Sequence, residues 1–413
     1  MNHSEIRGKA IPEGFEPAIW CAKLGTPLYV YDADEMAKQV AAFKAAFSVE
    51  DLHIHYACKA LTNINVLRLM KKWGTGLDTV SIEEIKIGLL AGFKPNDIMF
   101  TPNMVGFEEI AEAVEMGVRI NIDNLPFLLR FGQVFPETPV CVRLNPHILA
   151  GGNINISVGH THSKFGISFE QIGDIKSILS NTGLKVEGLH IHIGSDVKDA
   201  ESFVKVADLL FDIALQFPDL AFLDLGGGFK INYRPEDKKA DINELGRLLT
   251  ASFNEFCQKY GRTISLIFEP GKYLVSEAGY FFTQVNVVKQ TPYVLFAGVD
   301  SGFNHLIRPM FYDAYHHITN CSNPDGALLT YDIVGNICET DTFAKQRELP
   351  EIKEGDILCF HNAGAYGYTM ASNYNSRPRP AEALFMDGGL HVIRRKETLE
   401  DILQTQVELE FLK

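Results

Sequence analysis

A lysine closes the run His53-Ile54-His55-Tyr56-Ala57-Cys58-Lys59-Ala60, whose residues otherwise suit a strand. Burial strips hydration from an ammonium and favours the neutral amine, the nucleophile that forms Schiff bases. If the strand instead ends at the surface, Lys59 simply reaches into water. Downstream, DLGGGF carries the triplet Gly226, Gly227, Gly228 at the end of an apolar run. Such glycines either make a tight turn or let backbone N–H groups approach a phosphate. HIHIGS sets His190 and His192 two apart, on one face of a strand. They could ligate zinc, pack in the core, or stack an imidazole on a flat heteroaromatic ring. In EPG, Glu269 either ends a strand at the surface or keeps a pyridine nitrogen protonated. An amine, a phosphate cradle, a stacking ring and a pyridinium carboxylate together describe one cofactor, pyridoxal phosphate. No HExxH or GxxxxGK[ST] pattern is present, which leaves zinc without a recognisable ligand set and excludes a P-loop.

A second group lies further on. CETD holds Cys338 and Glu339, and NHLIRPMFYDAYH supplies Arg308 and Tyr312 four apart, a spacing that shares one side of a helical turn. The thiol is either a small hydrophobe or a proton donor. The arginine suits either a structural ion pair or bidentate carboxylate recognition.

Alternating elements must position these groups. Short apolar runs at 52–60, 76–80, 97–102, 119–124, 140–146, 188–195, 222–228 and 265–271 alternate with stretches such as SIEEIKIGLLAGF, GFEEIAEAVEMG and DAESFVKVADLLFDIALQF. The latter repeat apolar residues every three or four positions. Eight strand–helix units predict a (β/α)8 barrel, whose carboxyl rim would gather Lys59, His192, Ser195, the glycine triplet and Glu269. A doubly wound open sheet shares the alternation but uses fewer units. Beyond about residue 272 strand-like runs dominate, and TPLYVYD at 26–32 is strand-like too. The expected organisation is an α/β barrel over 36–275 and a β-rich sandwich or barrel domain formed by 1–35 with 276–413.

The 413 residues carry a net charge of −14, with 38 basic and 52 acidic side chains, which repels nucleic acid. Seven scattered cysteines without a CxxC, no signal-like start and no long uncharged apolar run predict a cytoplasmic protein without a membrane partner.

The chain resembles the fold-type III pyridoxal-phosphate decarboxylases along nearly its whole length. The likeness runs through TPLYVYD, HYACKA, HSKFGIS, HIHIGS, DLGGGF, EPGKY, IRPMFYDAYH, CETD and GAYGYTMASNYNSRPRPAE, the last being the most specific. The resemblance implies that Lys59 forms the Schiff base with the cofactor, His192 stacks on its ring and Glu269 binds its ring nitrogen. It assigns Ser195, Gly226, Gly227, Gly228 and Tyr366 to the phosphate. Arg308 and Tyr312 would bind a substrate carboxylate, and Cys338 or a nearby water would reprotonate the product carbon. Cys338 and Glu339 would reach a neighbouring subunit's site, which implies a homodimer with shared active sites. Glutamate after the cysteine resembles members acting on diaminopimelate, whereas those acting on ornithine carry aspartate. The expected reaction is therefore decarboxylation of meso-2,6-diaminopimelate to L-lysine, the last step of lysine biosynthesis, with no metal. Decarboxylases of ornithine, lysine or carboxynorspermidine, and a catalytically silent binding protein of this fold, are the alternatives. Two departures stand out. Lys272 follows EPG where the family carries arginine, which removes the two-pronged donor from a substrate-binding position. CETD is one residue shorter than the family's CESGD-like motif, which leaves the partner of Asp341 open.

Overall fold

The computed structural model describes residues 5–6, 9–12, 14–148, 162–192, 194, 199–234, 237 and 239–412. The chain divides into two compact units. One comprises Ala37–Asn232 with Lys238–Leu274. The other comprises Met1–Met36, Tyr233–Asp237 and Val275–Lys413.

The first unit is an eight-stranded parallel barrel. Its strands are β1 (Leu52–Ala57), β2 (Gly76–Thr79), β3 (Ile98–Phe100), β4 (Arg119–Ile122), β5 (Val140–Asn145), β6 (Val186–Ile191), β7 (Phe222–Asp224) and β8 (Ser265–Phe268). Each pairs in parallel with the next, and β8 pairs with β1 to close the ring. Strands covered on both faces read as continuous apolar runs rather than alternating ones. All of Val140–Asn145 is buried accordingly. Met99, Cys141, Phe222 and Ile267 pack as one cluster drawn from four strands.

The helices fall where apolar periodicity predicts them, at Ile82–Ala91, Phe107–Glu115 and Ala200–Ala214 among others. Local chemistry sets their ends. The Ser81 side chain accepts the Glu84 amide at 3.2 Å, while Glu84 Oε2 accepts the Val80 amide at 2.8 Å. Two donors left over at the first turn are thereby satisfied. The same helix stops at Gly92 in the left-handed conformation (φ 95°).

The second unit is built on β9 (Gly279–Gln290), β10 (Leu295–Val299), β11 (Ile318–Asn320), β12 (Leu328–Val334), β13 (Thr342–Pro350), β14 (Ile357–Phe360), β15 (Ala381–Met386) and β16 (Gly389–Arg394). The N-terminal strand Leu28–Asp32 completes its sheet. It lies antiparallel to β9 on one side and parallel to β15 on the other. Leu28, Val30, Phe282, Cys359 and Ala383 are buried together beneath that junction. No helix among the described residues is long and apolar enough to cross a membrane.

Candidate active site

Strand β1 ends at Ala57, and the single 3-10 turn Cys58–Ala60 follows it. That turn carries Lys59 past the strand end, so its side chain is 43 % exposed rather than buried. What holds Lys59 is an ion pair: Nζ lies 3.2 Å from Oδ2 of Asp78, at the end of β2. Asp78 itself is fully enclosed. Burial, then the charge of Glu269, pushes its carboxyl up to about 6, against the opposing pull of Lys59.

Glu269 follows β8 and is buried. Its Oε2 lies 3.2 Å from Nε2 of His190, on β6, and an ionised carboxylate can only accept, which makes His190 the donor. The polar atoms of His190, Asp224 and Glu269 lie within 4.8 Å of one another. Loss of hydration, reinforced by Arg143, holds both His190 and His192 well below the usual imidazole range, so both rings are neutral. The two histidines do not share a partner, because His192 Nδ1 accepts the Gly227 amide at 3.1 Å.

The glycine triplet folds tightly against β8. Gly226 adopts φ +64°, its amide donates to Asp224 Oδ1 at 2.8 Å, and its carbonyl accepts the Glu269 amide at 2.8 Å. A Cβ on Gly227 would lie 2.2 Å from the Glu269 carbonyl oxygen. Glycine is required here by the close approach of two backbones. Two of the three amides are engaged within the protein, and Gly228 adopts φ +98°.

Sequence reasoning did not single out Arg143 or Asp224. Arg143 is the one charged residue of β5, buried, with its guanidinium 4.8 Å from the Phe165 ring centre. An arginine inside a fully apolar strand run was the available signal. Asp224, two positions before the first glycine, is completely enclosed.

The donor chemistry of this cluster fits pyridoxal phosphate. Glu269 Oε1, Asp224 Oδ2 and Asp78 Oδ1 are buried acceptors without a hydrogen-bond donor among the described residues. A protonated ring nitrogen is such a donor, and the crowded glycine turn beside it admits no side chain.

Of the remaining expected site residues, Lys272 opens the short helix Lys272–Val275 in the barrel unit and is buried. Ser195 lies outside the described residues. In the other unit, Arg308 and Tyr312 begin and end one short helix. The buried Arg308 donates from Nη1 to the Ala365 carbonyl at 3.2 Å and sits 5.1 Å over the Tyr233 ring. Tyr366, next to that carbonyl, has φ 56°. Cys338 and Glu339 are both exposed. Asn375 Nδ2 donates to Cys338 Sγ at 3.2 Å, and the Tyr374 hydroxyl donates to Glu339 Oε1 at 2.6 Å. The partner of Asp341 is the loop itself. Its two oxygens accept the amides of Phe303 (2.7 Å) and Ile337 (3.0 Å), so it shapes the turn that presents Cys338 and Glu339.

Comparison with known proteins agrees with this chemistry. Residues 33–276 match the family model described as pyridoxal-dependent decarboxylase, pyridoxal binding domain. The chain is 40 % identical to a diaminopimelate decarboxylase of Methanothermobacter thermautotrophicus, covering 97 % of this chain and 96 % of that one. It is 35 % identical to the diaminopimelate decarboxylase of Escherichia coli K12, over 94 % and 95 % of the two chains. Among solved structures, diaminopimelate decarboxylase from M. jannaschii in complex with L-lysine superposes over the full length of both chains with a TM-score of 0.90 at 30 % identity. A lysine/ornithine decarboxylase from Vibrio vulnificus, at 23 % identity and TM-score 0.77, shares the fold.

Proposed function

The chain belongs to the pyridoxal-dependent decarboxylases, in their diaminopimelate decarboxylase branch, and from that membership we propose how its own residues release carbon dioxide from meso-2,6-diaminopimelate and leave L-lysine. The observation that carries the assignment of roles is the pairing of Glu269 with neutral His190, which leaves one buried carboxylate oxygen in want of a donor.

Pyridoxal phosphate, when bound, supplies an aldehyde that bonds amines and a protonated pyridine ring that takes up the electron pair left by departing carbon dioxide. Lys59 is the amine that would hold the aldehyde group. Asp78, 3.2 Å from Nζ, steadies the lysine ammonium and, with its carboxyl raised to about 6, is placed to exchange a proton with it. Glu269 holds the ring nitrogen's proton on Oε1 while His190 fixes Oε2. His192, held by Gly227, offers a neutral imidazole face to the ring. The phosphate falls to the Gly226–Gly228 turn, chiefly its Gly228 end, with Ser195 and Tyr366.

Arg308, Tyr312 and Lys272 hold the carboxylate that remains on the substrate. Glu339 holds the distal ammonium, and the Cys338 thiol returns a proton to the carbon that has lost its carboxyl group. The exposure of Cys338 and Glu339, on a turn shaped by Asp341, supports their acting in the site of a second copy of the chain, hence a homodimer. Seven unpaired cysteines support a reducing, cytoplasmic setting.

The test is carbon dioxide release by the purified enzyme on meso-diaminopimelate, ornithine, lysine and carboxynorspermidine. We expect kcat/KM to favour diaminopimelate by about 100-fold or more, because a site built to grip a second carboxylate rejects amino acids lacking one. Equal turnover of ornithine overturns the substrate assignment. Lys59→Ala removes both the visible absorption of the bound cofactor and turnover, and a wild-type protein that stays colourless with added cofactor overturns the enzymatic reading.

A further inference from the structure

Two buried acids sit side by side with one proton too few. Asp224 is wholly enclosed and Glu269 is 6 % exposed, and their polar atoms lie within 4.8 Å of one another. Asp224 Oδ1 accepts the Gly226 amide, and Glu269 Oε2 accepts from His190. The second oxygen of each, Oδ2 and Oε1, has no donor among the described residues. Two ionised carboxylates in that position repel each other, and each leaves a buried acceptor unmatched. A single proton removes both faults, since a carboxyl O–H is a donor.

We propose that Asp224 is a positioning residue that carries this proton and donates it to the Glu269 carboxylate, keeping Glu269 ionised and correctly turned toward the ring nitrogen. The surrounding charges decide which acid holds the proton. Burial raises the Glu269 carboxyl, but Lys59 and Arg143 pull it back towards the ionised form. Burial acts on Asp224 too, and there the negative charges of Glu269 and Asp78 add to it and hold its carboxyl well above the usual range. Neutral His190 cannot supply a second donor, because its Nδ1 carries no proton once Nε2–H is given to Glu269. Glu269 thus receives one hydrogen bond from each side, from β6 through His190 and from β7 through Asp224. The inference rests on the reading of Glu269 as the partner of the ring nitrogen.

Asparagine at this position is a permanent donor of the same shape, and alanine is none. In the ligand-free protein at about pH 7, the infrared difference spectrum of wild type minus Asp224→Asn shows the carbonyl stretch of a protonated carboxyl group. Loss of carboxylate bands alone overturns the proposal. With pyridoxal phosphate, Asp224→Asn keeps cofactor affinity within about threefold of wild type, whereas Asp224→Ala weakens it about tenfold, the worth of one buried hydrogen bond. Equal weakening in both variants also overturns it. Glu269→Gln tests the underlying reading separately. If that variant binds cofactor and turns over like wild type, both readings fall, whereas a missing infrared band removes only this one.

Discussion

Lys59 Nζ, on the turn after β1, and Asp78 Oδ2, on β2, stand 3.2 Å apart, an exposed amine anchored to an enclosed acid. The pair exists because β1 and β2 run in parallel register, with Ala57 opposite Asp78, so the turn after β1 delivers Lys59 directly over the end of β2. The arrangement makes Asp78 costly to ionise and useful once ionised.

Asp78→Asn separates those two effects. The folded-state carboxyl titrates near 6 rather than its ordinary 3.8, so the folded protein binds the extra proton more tightly than the unfolded chain. Wild-type stability therefore falls as pH rises through that interval and levels off above it. Relative to wild type, ligand-free Asp78→Asn gains up to about 3 kcal/mol between pH values of about 4 and about 6, read by urea denaturation. Turnover falls about tenfold or more at neutral pH because the amine has lost its proton partner. A stability difference that does not change across the interval contradicts the assignment.

Mixing inactive variants tests the shared site. Lys59→Ala and Cys338→Ala proteins, unfolded, combined in equal amounts and refolded, recover about a quarter of wild-type activity. Half of randomly assorted dimers are mixed, and each mixed dimer holds one intact site of two. Sites confined to single chains recover nothing.

Asp341→Ala frees the amides of Phe303 and Ile337 together. Hydrogen bonds to a charged acceptor are worth about 1.5–3 kcal/mol. A loss of that order in denaturant stability is expected, with kcat lowered and cofactor absorption unchanged. An unaltered kcat separates the turn from catalysis.

Lys272→Met removes the cation proposed to hold the substrate carboxylate. KM for meso-diaminopimelate rises about tenfold or more while cofactor absorption persists, as expected for loss of one charge-assisted hydrogen bond. An unchanged KM assigns the buried lysine to folding instead.

The strand-end placing of Lys59, the glycine triplet and Glu269 was legible because each is local, a residue type at or just past the end of an apolar run. The barrel was legible from eight repeats of one pattern. The relations that give these residues their chemistry were not. His190 meets Glu269 across 79 positions, through the stagger of non-neighbouring strands. The donors to Asp341 include an amide 38 positions away. Burial and a surface end were both open for Lys59, and the choice fell to a three-residue turn that carries it past the strand and to an acid that anchors it. Alternation of residue types reports which face is apolar, whereas such pairings depend on barrel stagger and turn geometry that alternation does not encode.

The strand Leu28–Asp32 has a further consequence for synthesis. Its two neighbours in the sheet are made long after it, and the hydroxyl of Tyr31 waits for Glu382, 351 positions later. At ordinary translation rates that interval is roughly 20–70 s, so the edge that meets β15 stays unpaired well after β9 has covered the other. Until β15 is made, the strand can pair with β9 alone, and its second edge stays open. A strand made late closes the sheet around one made early.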